Sequence, residues 1–351
     1  WALGERWLQD ADALLLRVGD PPRARAFLLE EIASLRFEQG RFAESVTVLE
    51  ECVAIWEREA GPRHQMVALA KGQLARGLFQ SGRYDDAAVA FEEALAITQE
   101  QLGRKHPWAA AILNGLAVVE AIRGNTEESV RKFEESVALL EVVHGADHPR
   151  VAQARGNLGI AYMNAGRHDE AVAVQERALE DTRRRFGDED TRVAFNLSNL
   201  GLALANTKRR DEAVPRLREA LTLREKILEP DHPAIATSAQ DLGRVLFDLG
   251  RGEEGESYVR RALEIRERKA FNDHETAISA LALARIVAAQ TRPAEAIRLA
   301  ERSVELREKV FGADQPELLE SLKLLAELQP EKREQLQARI EEIESGQGAP
   351  K

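Results

Sequence analysis

Histidine falls at 64, 106, 148, 232 and 274, always a multiple of 42 residues apart, and Asp190 fills the one missing step. Imidazoles in series first suggest a metal site, since histidine is a common zinc ligand. Zinc needs its ligand nitrogens about 2 Å away, whereas copies of a helical repeat lie at least one helix diameter apart, roughly 10 Å. Successive histidines therefore cannot share an ion, and they read as turn and cap residues. His144 and His148 are four apart, but Gly145 between them and Pro149 after them interrupt the helix that would align them.

Other chemistry is equally thin. Gly250, Gly252 and Gly255 spell G-x-G-x-x-G, the pattern that cradles a pyrophosphate. Here it follows a helical stretch instead of a strand, and Glu253 and Glu254 would repel the phosphates. Cys52, the only cysteine, sits beside Val53 on an apolar face and reads as packing. Carboxylates such as Glu264 lie four residues from arginines such as Arg268, the spacing of solvated helix-face pairs. The basic runs Arg183–Arg185 and Lys208–Arg210 have acids close by. No metalloprotease, nucleophile-elbow or P-loop string occurs. The sequence predicts no enzyme, no cofactor and no metal.

Composition narrows the class further. Apolar residues make up 44% of the 351 residues and aromatics only 5%, so the core must come from Ala, Leu and Val. With abundant Glu and Arg these favour helix. Forty-nine basic residues face 60 acidic ones, a net charge of −11, which disfavours a nucleic-acid backbone as partner. A single cysteine excludes an intrachain disulfide and fits a reducing, cytoplasmic setting. No apolar run approaches a membrane span, so no membrane partner is expected.

The elements that carry these residues repeat every 42 positions. Glycine recurs at 40, 82, 124, 166 and 250, with Lys208 as the exception, and a second series runs through 19, 61, 103, 145 and 187. In residues 149–190, Pro149 opens a first helix that runs to about Asn164, with Leu158, Ala161 and Tyr162 on its apolar face. Gly166 ends it in the left-handed geometry that glycine tolerates. A second helix spans His168 to about Arg185, with Ala171, Val174, Ala178 and Leu179 inward. Self-similarity at this period predicts stacked helical hairpins, about two helices per repeat.

On this register residues 1–22 form the second helix and loop of a truncated leading repeat, and the chain reads as a piece of a longer protein. Residues 23–315 hold seven tandem hairpins, the last one residue short. Residues 316–346 form a degenerate capping hairpin with Leu336, Ile340 and Ile343 on one stripe, and 347–351 a disordered tail.

The motif Asn157-Leu158-Gly159-x-x-Tyr162, followed by Ala171 and Ala178-Leu179, resembles the tetratricopeptide repeat. The 42-residue spacing, the linker Gly145-Ala146-Asp147-His148-Pro149 and the stretch Arg261–Glu267 resemble the long repeats of kinesin light chains and their bacterial relatives. The resemblance implies an all-α, right-handed superhelical solenoid whose first helices line a concave groove. Carried onto the matching positions, it implies a peptide-binding surface from Gln73, Arg76, Phe79, Asn114, Asn157, Met163, Asn164, Phe195, Asn199, Asn206, Gln240, Asp241, Arg244, Phe247 and Arg285. Carboxamides can pair with a peptide backbone, aromatics can hold apolar side chains, and arginines can hold carboxylates. Gly156-Asn157, Ser198-Asn199 and Gln240-Asp241 stand where kinesin-type repeats carry an Asn-Asn doublet, so cargo specificity is not implied. The expected function is a non-catalytic scaffold for a protein or extended peptide. Alternatives are a ligand-sensing domain controlling an attached effector, and a self-association scaffold.

Overall fold

The structure, a computed structural model, describes residues 2–269 and 273–345. Among them are seventeen α-helices and no strand. The first nine are α1 (Ala2–Arg17), α2 (Pro22–Glu38), α3 (Phe42–Ala60), α4 (Gln65–Gln80), α5 (Tyr84–Leu102), α6 (Pro107–Ile122), α7 (Thr126–His144), α8 (Pro149–Asn164) and α9 (His168–Phe186). Then follow α10 (Thr191–Ala205), α11 (Ala213–Ile227), α12 (Pro233–Asp248), α13 (Gly252–Lys269), α14 (Asp273–Ala289), α15 (Pro293–Phe311), α16 (Leu319–Leu328) and α17 (Arg333–Glu344). The chain divides into two compact units, 1–181 and 182–351. Within each, an even-numbered first helix packs against the odd-numbered second helix after it, and hairpins stack in sequence. The expected fold class is the one observed. The tail at 347–351 lies outside the described residues.

Four of the five histidines in the series cap first helices, whereas the fifth, His274, is the second residue of α14. His64, His106, His148 and His232 each precede a helix, and each Nδ1 accepts the backbone N–H two residues on, at 3.1–3.2 Å. Asp190 does the same for α10 at 2.9 Å. Its side-chain bonds from Arg192, ahead of the backbone bond, hold its carboxyl down at about 2. An N-cap of this kind satisfies one of the helix's four unpaired donors. His144 and His148 nevertheless meet across the loop, their rings stacked 4.4 Å apart.

The core is built from the expected positions, with one exchange. Leu158, Ala161, Tyr162, Ala171, Ala178 and Leu179 are buried, but Val174 is only half-buried and Val172 and Gln175 take the inward places. Gln175 Nε2 donates to Gly156 O at 2.9 Å and ties α9 to α8. Glu264 and Arg268 do not form the expected helix-face pair; Arg268 reaches Asp231, 37 residues back, at 2.7 Å. Arg63–Glu100 is a like bridge between successive repeats. Such exposed pairs contribute little each, roughly 0–1 kcal/mol.

The turn at Lys208, the exception in the glycine series, also differs in its backbone. Gly40, Gly82, Gly124, Gly166 and Gly250 all have positive φ, but the described non-glycine residues with positive φ are Asp20 and Thr291, and Lys208 is not one of them. Helix α10 stops at Ala205, Thr207 Oγ1 donates to Leu204 O, and Arg209 N–H donates back to Thr207 Oγ1. A threonine-centred turn thus replaces the left-handed one. Thr291 instead holds the glycine place of the seventh hairpin at φ 61°, and Arg292 N–H closes the turn on Val287 O.

A β-branched residue in that conformation is strained by roughly 1–2 kcal/mol, partly offset by the extra freedom glycine gives the unfolded chain. Thr291→Gly should stabilise the protein by about 0.5–1 kcal/mol, and Lys208→Gly should destabilise it by a similar amount. Thermal unfolding of the two variants checks this, because the shifts in Tm must have opposite signs.

Candidate functional site

In the first unit, α2, α4, α6 and α8 leave a trough along their shared face. Between α2 and α4 lies a cavity of about 350 Å³, lined by Glu30, Glu31, Ser34, Phe37 and Glu38 on one side and Leu69, Gln73 and Arg76 on the other. A second, about 180 Å³, shares Leu69, Gln73 and Arg76 and adds Trp108, Ala111 and Ile112 from α6. A third, about 410 Å³, shares Trp108 and Ala111 and adds Asn114, Arg150, Gln153 and Asn157. The shared walls make the three one continuous trough.

Its side chains are held in place from below. Arg76 stacks over the Phe37 ring, 5.0 Å from the centroid, which fixes its guanidinium at the junction of two cavities. Asn157 Nδ2 donates to Asn114 Oδ1 at 2.9 Å, leaving the outer lone pairs and N–H groups of this amide pair for a ligand. Trp108 is exposed and braced edge-on by His106, centroids 5.3 Å apart. Glu30 accepts Trp56 Nε1–H at 3.0 Å; burial pushes its carboxyl up, against the pull of that bond. Phe79 packs edge-on against Tyr84 and lies outside the cavity walls.

The second unit has a cavity of about 220 Å³ between α12 and α14. Arg244, Phe247 and Asp248 face Ala282, Arg285 and Ile286. Arg244 stands 3.9 Å from Asp248 and Arg285 3.7 Å from Glu320, both with their guanidinium groups about half exposed. Gln240 accepts from Arg266 and from Ser279 Oγ, so its amide oxygen is engaged within the protein.

The remaining expected residues scatter. Phe195 is 43% exposed, whereas Asn199 is only 7% exposed and its Nδ2 is buried without a protein partner. Asn206 is exposed and donates to Leu202 O. Met163 is half-buried and Asn164 exposed; neither lines a cavity of the trough. Sequence reasoning passed over Glu30, Glu31, Phe37, Glu38, Trp108, Arg150 and Gln153. The register that picks Gln73 and Arg76 also picks Glu31 and Ser34 one repeat earlier, so that signal was present.

Neither the cysteine nor the glycine string has the setting that its chemistry needs. Burial, and next to it the Glu30 carboxylate, push the Cys52 thiol up to about 12, and its Sγ rests against Ala26 O. Such a thiol is not a nucleophile at neutral pH. Gly243 and Gly255, the latter from the G-x-G-x-x-G string, are where α12 and α13 touch backbone to backbone. Among the described residues no cluster of His, Cys, Asp or Glu is placed to hold a metal ion, and no helix is long and apolar enough to cross a membrane.

The tetratricopeptide-repeat family profile matches residues 22–100, 67–141, 108–184, 150–226, 190–268, 241–309 and 275–339. A solved structure from Podosopora anserina, described as a kinesin light chain with nearly identical TPR-like repeats, is 25% identical with a TM-score of 0.54, covering 58% of this chain and 96% of its own. BtubC from P. vanneervenii is 24% identical with a TM-score of 0.56, over 65% and 92% of the two chains. The apo form of RapI shares the fold, at 13% identity and a TM-score of 0.64 over 81% and 98%. No curated protein sequence matches the chain.

Asp241, on α12, titrates unusually. Burial raises its carboxyl to about 6, against the attraction of Arg244, Arg224 and Arg266 and with the repulsion of Glu275. The folded state thus binds this proton more tightly than the unfolded chain, whose aspartates titrate near 3.9. Stability from this group is fully present below about pH 4 and is lost as pH rises through about 6. Asp241→Asn should flatten the stability profile between those limits, and urea unfolding at pH 4, 5, 6 and 7 measures the difference.

Proposed function

We propose that this chain, which belongs to the tetratricopeptide-repeat family, is a non-catalytic scaffold that binds an extended peptide segment of a protein partner along the first helices of its hairpins. Proteins of this family generally act as protein-interaction scaffolds, so the general role follows from membership. The finer reading rests on one observation, the continuous trough from Glu30 to Asn157. Each of its cavities can receive a side chain, and their 350, 180 and 410 Å³ openings are joined through shared walls. An extended strand advances about 3.3 Å per residue, so about three residues cross each roughly 10 Å step from helix to helix.

The lining suits a chain with both backbone and side-chain contacts. The Asn114–Asn157 amides offer hydrogen bonds in both directions, Trp108 offers a flat apolar wall, and Arg76 faces Glu31 and Glu38 across the first cavity. Aromatic and arginine side chains in pockets are the usual anchors of such interfaces. With −11 net charge overall, nucleic acid is a poor electrostatic match. The reading places the protein away from membranes, in the cytoplasm, and needs no cofactor.

Peptides selected from a random displayed library against the whole chain provide the test. Trp108→Ala and Asn157→Ala should each weaken the selected peptides by about 1–3 kcal/mol, roughly 5- to 150-fold. Glu264→Ala, on the exposed face of α13, should leave affinity unchanged. Peptides that bind all three variants as well as the parent protein would remove the trough from consideration.

A further inference from the structure

One buried hydroxyl in the trough has no partner. Thr98 of α5 is 0% exposed and lines the cavity shared by α4 and α6, and its Oγ1 makes no hydrogen bond. A buried polar group left unpaired is costly and uncommon in a native fold. Leu69, Phe91, Trp108 and Ile112 make the walls around it largely apolar. Gln73 lines the same cavity, and its carboxamide has no hydrogen-bond partner among the described residues.

Other hairpins supply what this one lacks. Gly72 and Thr98, 26 residues apart, hold the register places of Glu30 with Trp56 and of Gln240 with Arg266. Glu30 Oε1 accepts from Trp56 Nε1 at 3.0 Å, and Gln240 Oε1 accepts from Arg266. Gly72 brings no side chain, and a Cβ added there would meet nothing within 4 Å. The fourth hairpin has the same two residue types, Gly156 and Thr182, but Thr182 is satisfied. Asn196, 5% exposed, donates from Nδ2 to Thr182 Oγ1 at 2.9 Å. Two repeats before Asn196 stands Ile112, which has nothing to offer a hydroxyl. The second hairpin therefore lacks both internal sources, and a cavity of about 180 Å³ with an unpaired hydroxyl is left.

We propose that this cavity is a subsite for a carboxamide side chain, asparagine or glutamine, of the peptide in the trough, an inference that rests on the trough reading. Where the protein itself answers a threonine at this place, it uses a carboxamide. That group carries both a donor and an acceptor, so one occupant can satisfy Thr98 and Gln73 together. An aliphatic side chain would suit the walls but leave Thr98 unpaired. A carboxylate would be buried next to a cavity that already holds Glu30, Glu31 and Glu38, while Arg76 is held over the Phe37 ring.

Peptides selected from a random displayed library against the whole chain should share one asparagine or glutamine. Leucine in its place should weaken the synthetic peptide by about tenfold or more for the parent protein. For Thr98→Val, which keeps the shape of the side chain without its hydroxyl, the same change should leave affinity nearly unaltered. Gly72→Gln, which supplies a carboxamide from α4 itself, should weaken the original peptide by about tenfold or more. In the free protein Thr98→Val should unfold at or above the parent's Tm, because no bond is lost. A clear fall in that Tm would overturn the proposal, since the hydroxyl would then have a partner within the protein. Unchanged affinity for Gly72→Gln would also overturn it, as would peptides that share no carboxamide and bind Thr98→Val as well as the parent. Such peptides, if still weakened by Trp108→Ala, would leave the trough reading standing, whereas a selection that enriches no peptide would end both.

Discussion

Everything in this fold depends on how closely the two helices of a hairpin approach. A Cβ added at Gly243 would lie 2.6 Å from Gly255 O, and one at Gly201 would lie 2.6 Å from Leu217. Contacts this short leave no room for a side chain on one partner, so each hairpin pairs a small residue with a larger one. The same approach brings carbonyls of the first helix within reach of hydroxyls on the second, as in Ser129 to Ala117 O and Ser303 to Ala277 O. Those bonds satisfy otherwise buried hydroxyls. Because the close contact uses one face of each first helix, its other face is left free to line a cavity.

This constraint is written in local sequence, and so the fold was legible. Small residues, proline at the first helical position and glycine after the last all act within a few residues of where they stand. The histidine caps show the same locality: one side chain, one backbone N–H, two residues apart. The turn at Lys208, the exception in the glycine series, departs from the others for a local reason. Thr207 supplies a hydroxyl that can both donate to Leu204 O and accept from Arg209 N–H, a local alternative to the left-handed turn. The converse case, Thr291, keeps the backbone of the glycine turn without the glycine, because flanking helices α14 and α15 pack tightly enough to impose it.

The candidate site was less legible, because which groove residue is open depends on its neighbours one repeat away. Asn157 and Asn199 occupy the same register position, yet Asn157 lines a cavity and Asn199 is buried. Phe195, one turn earlier on α10, is exposed instead. Trp108 sits a turn ahead of the inward positions that the register selects and still forms a wall of two cavities, since an indole reaches farther than its Cα position suggests. Arg266 shows the same reach from the second-helix side, passing from α13 to Gln240 on α12 and Ser279 on α14. Burial of Arg266 pulls its pKa down, only partly countered by Glu275. Long side chains crossing between helices decide what is open, and their rotamers are not in the repeat pattern.

The repeats themselves show where selection for stacking ends. At the position after the inward one, the seven hairpins read Ile32, Leu74, Leu116, Leu158, Leu200, Leu242 and Leu283. All are large and aliphatic, because that place packs in the core. At the inward position just before it they read Glu31, Gln73, Gly115, Asn157, Asn199, Asp241 and Ala282. Gly115 is fixed by packing, since a Cβ there would lie 2.6 Å from the Phe91 ring, but the other places take acid, amide or alanine alike. Whatever distinguishes this scaffold from others built on the same hairpin must lie in such unconstrained positions. Within the first unit, a partner lying along the first helices as proposed would meet Glu31, Gln73, Gly115 and Asn157 in turn, a different side chain at each of these four steps.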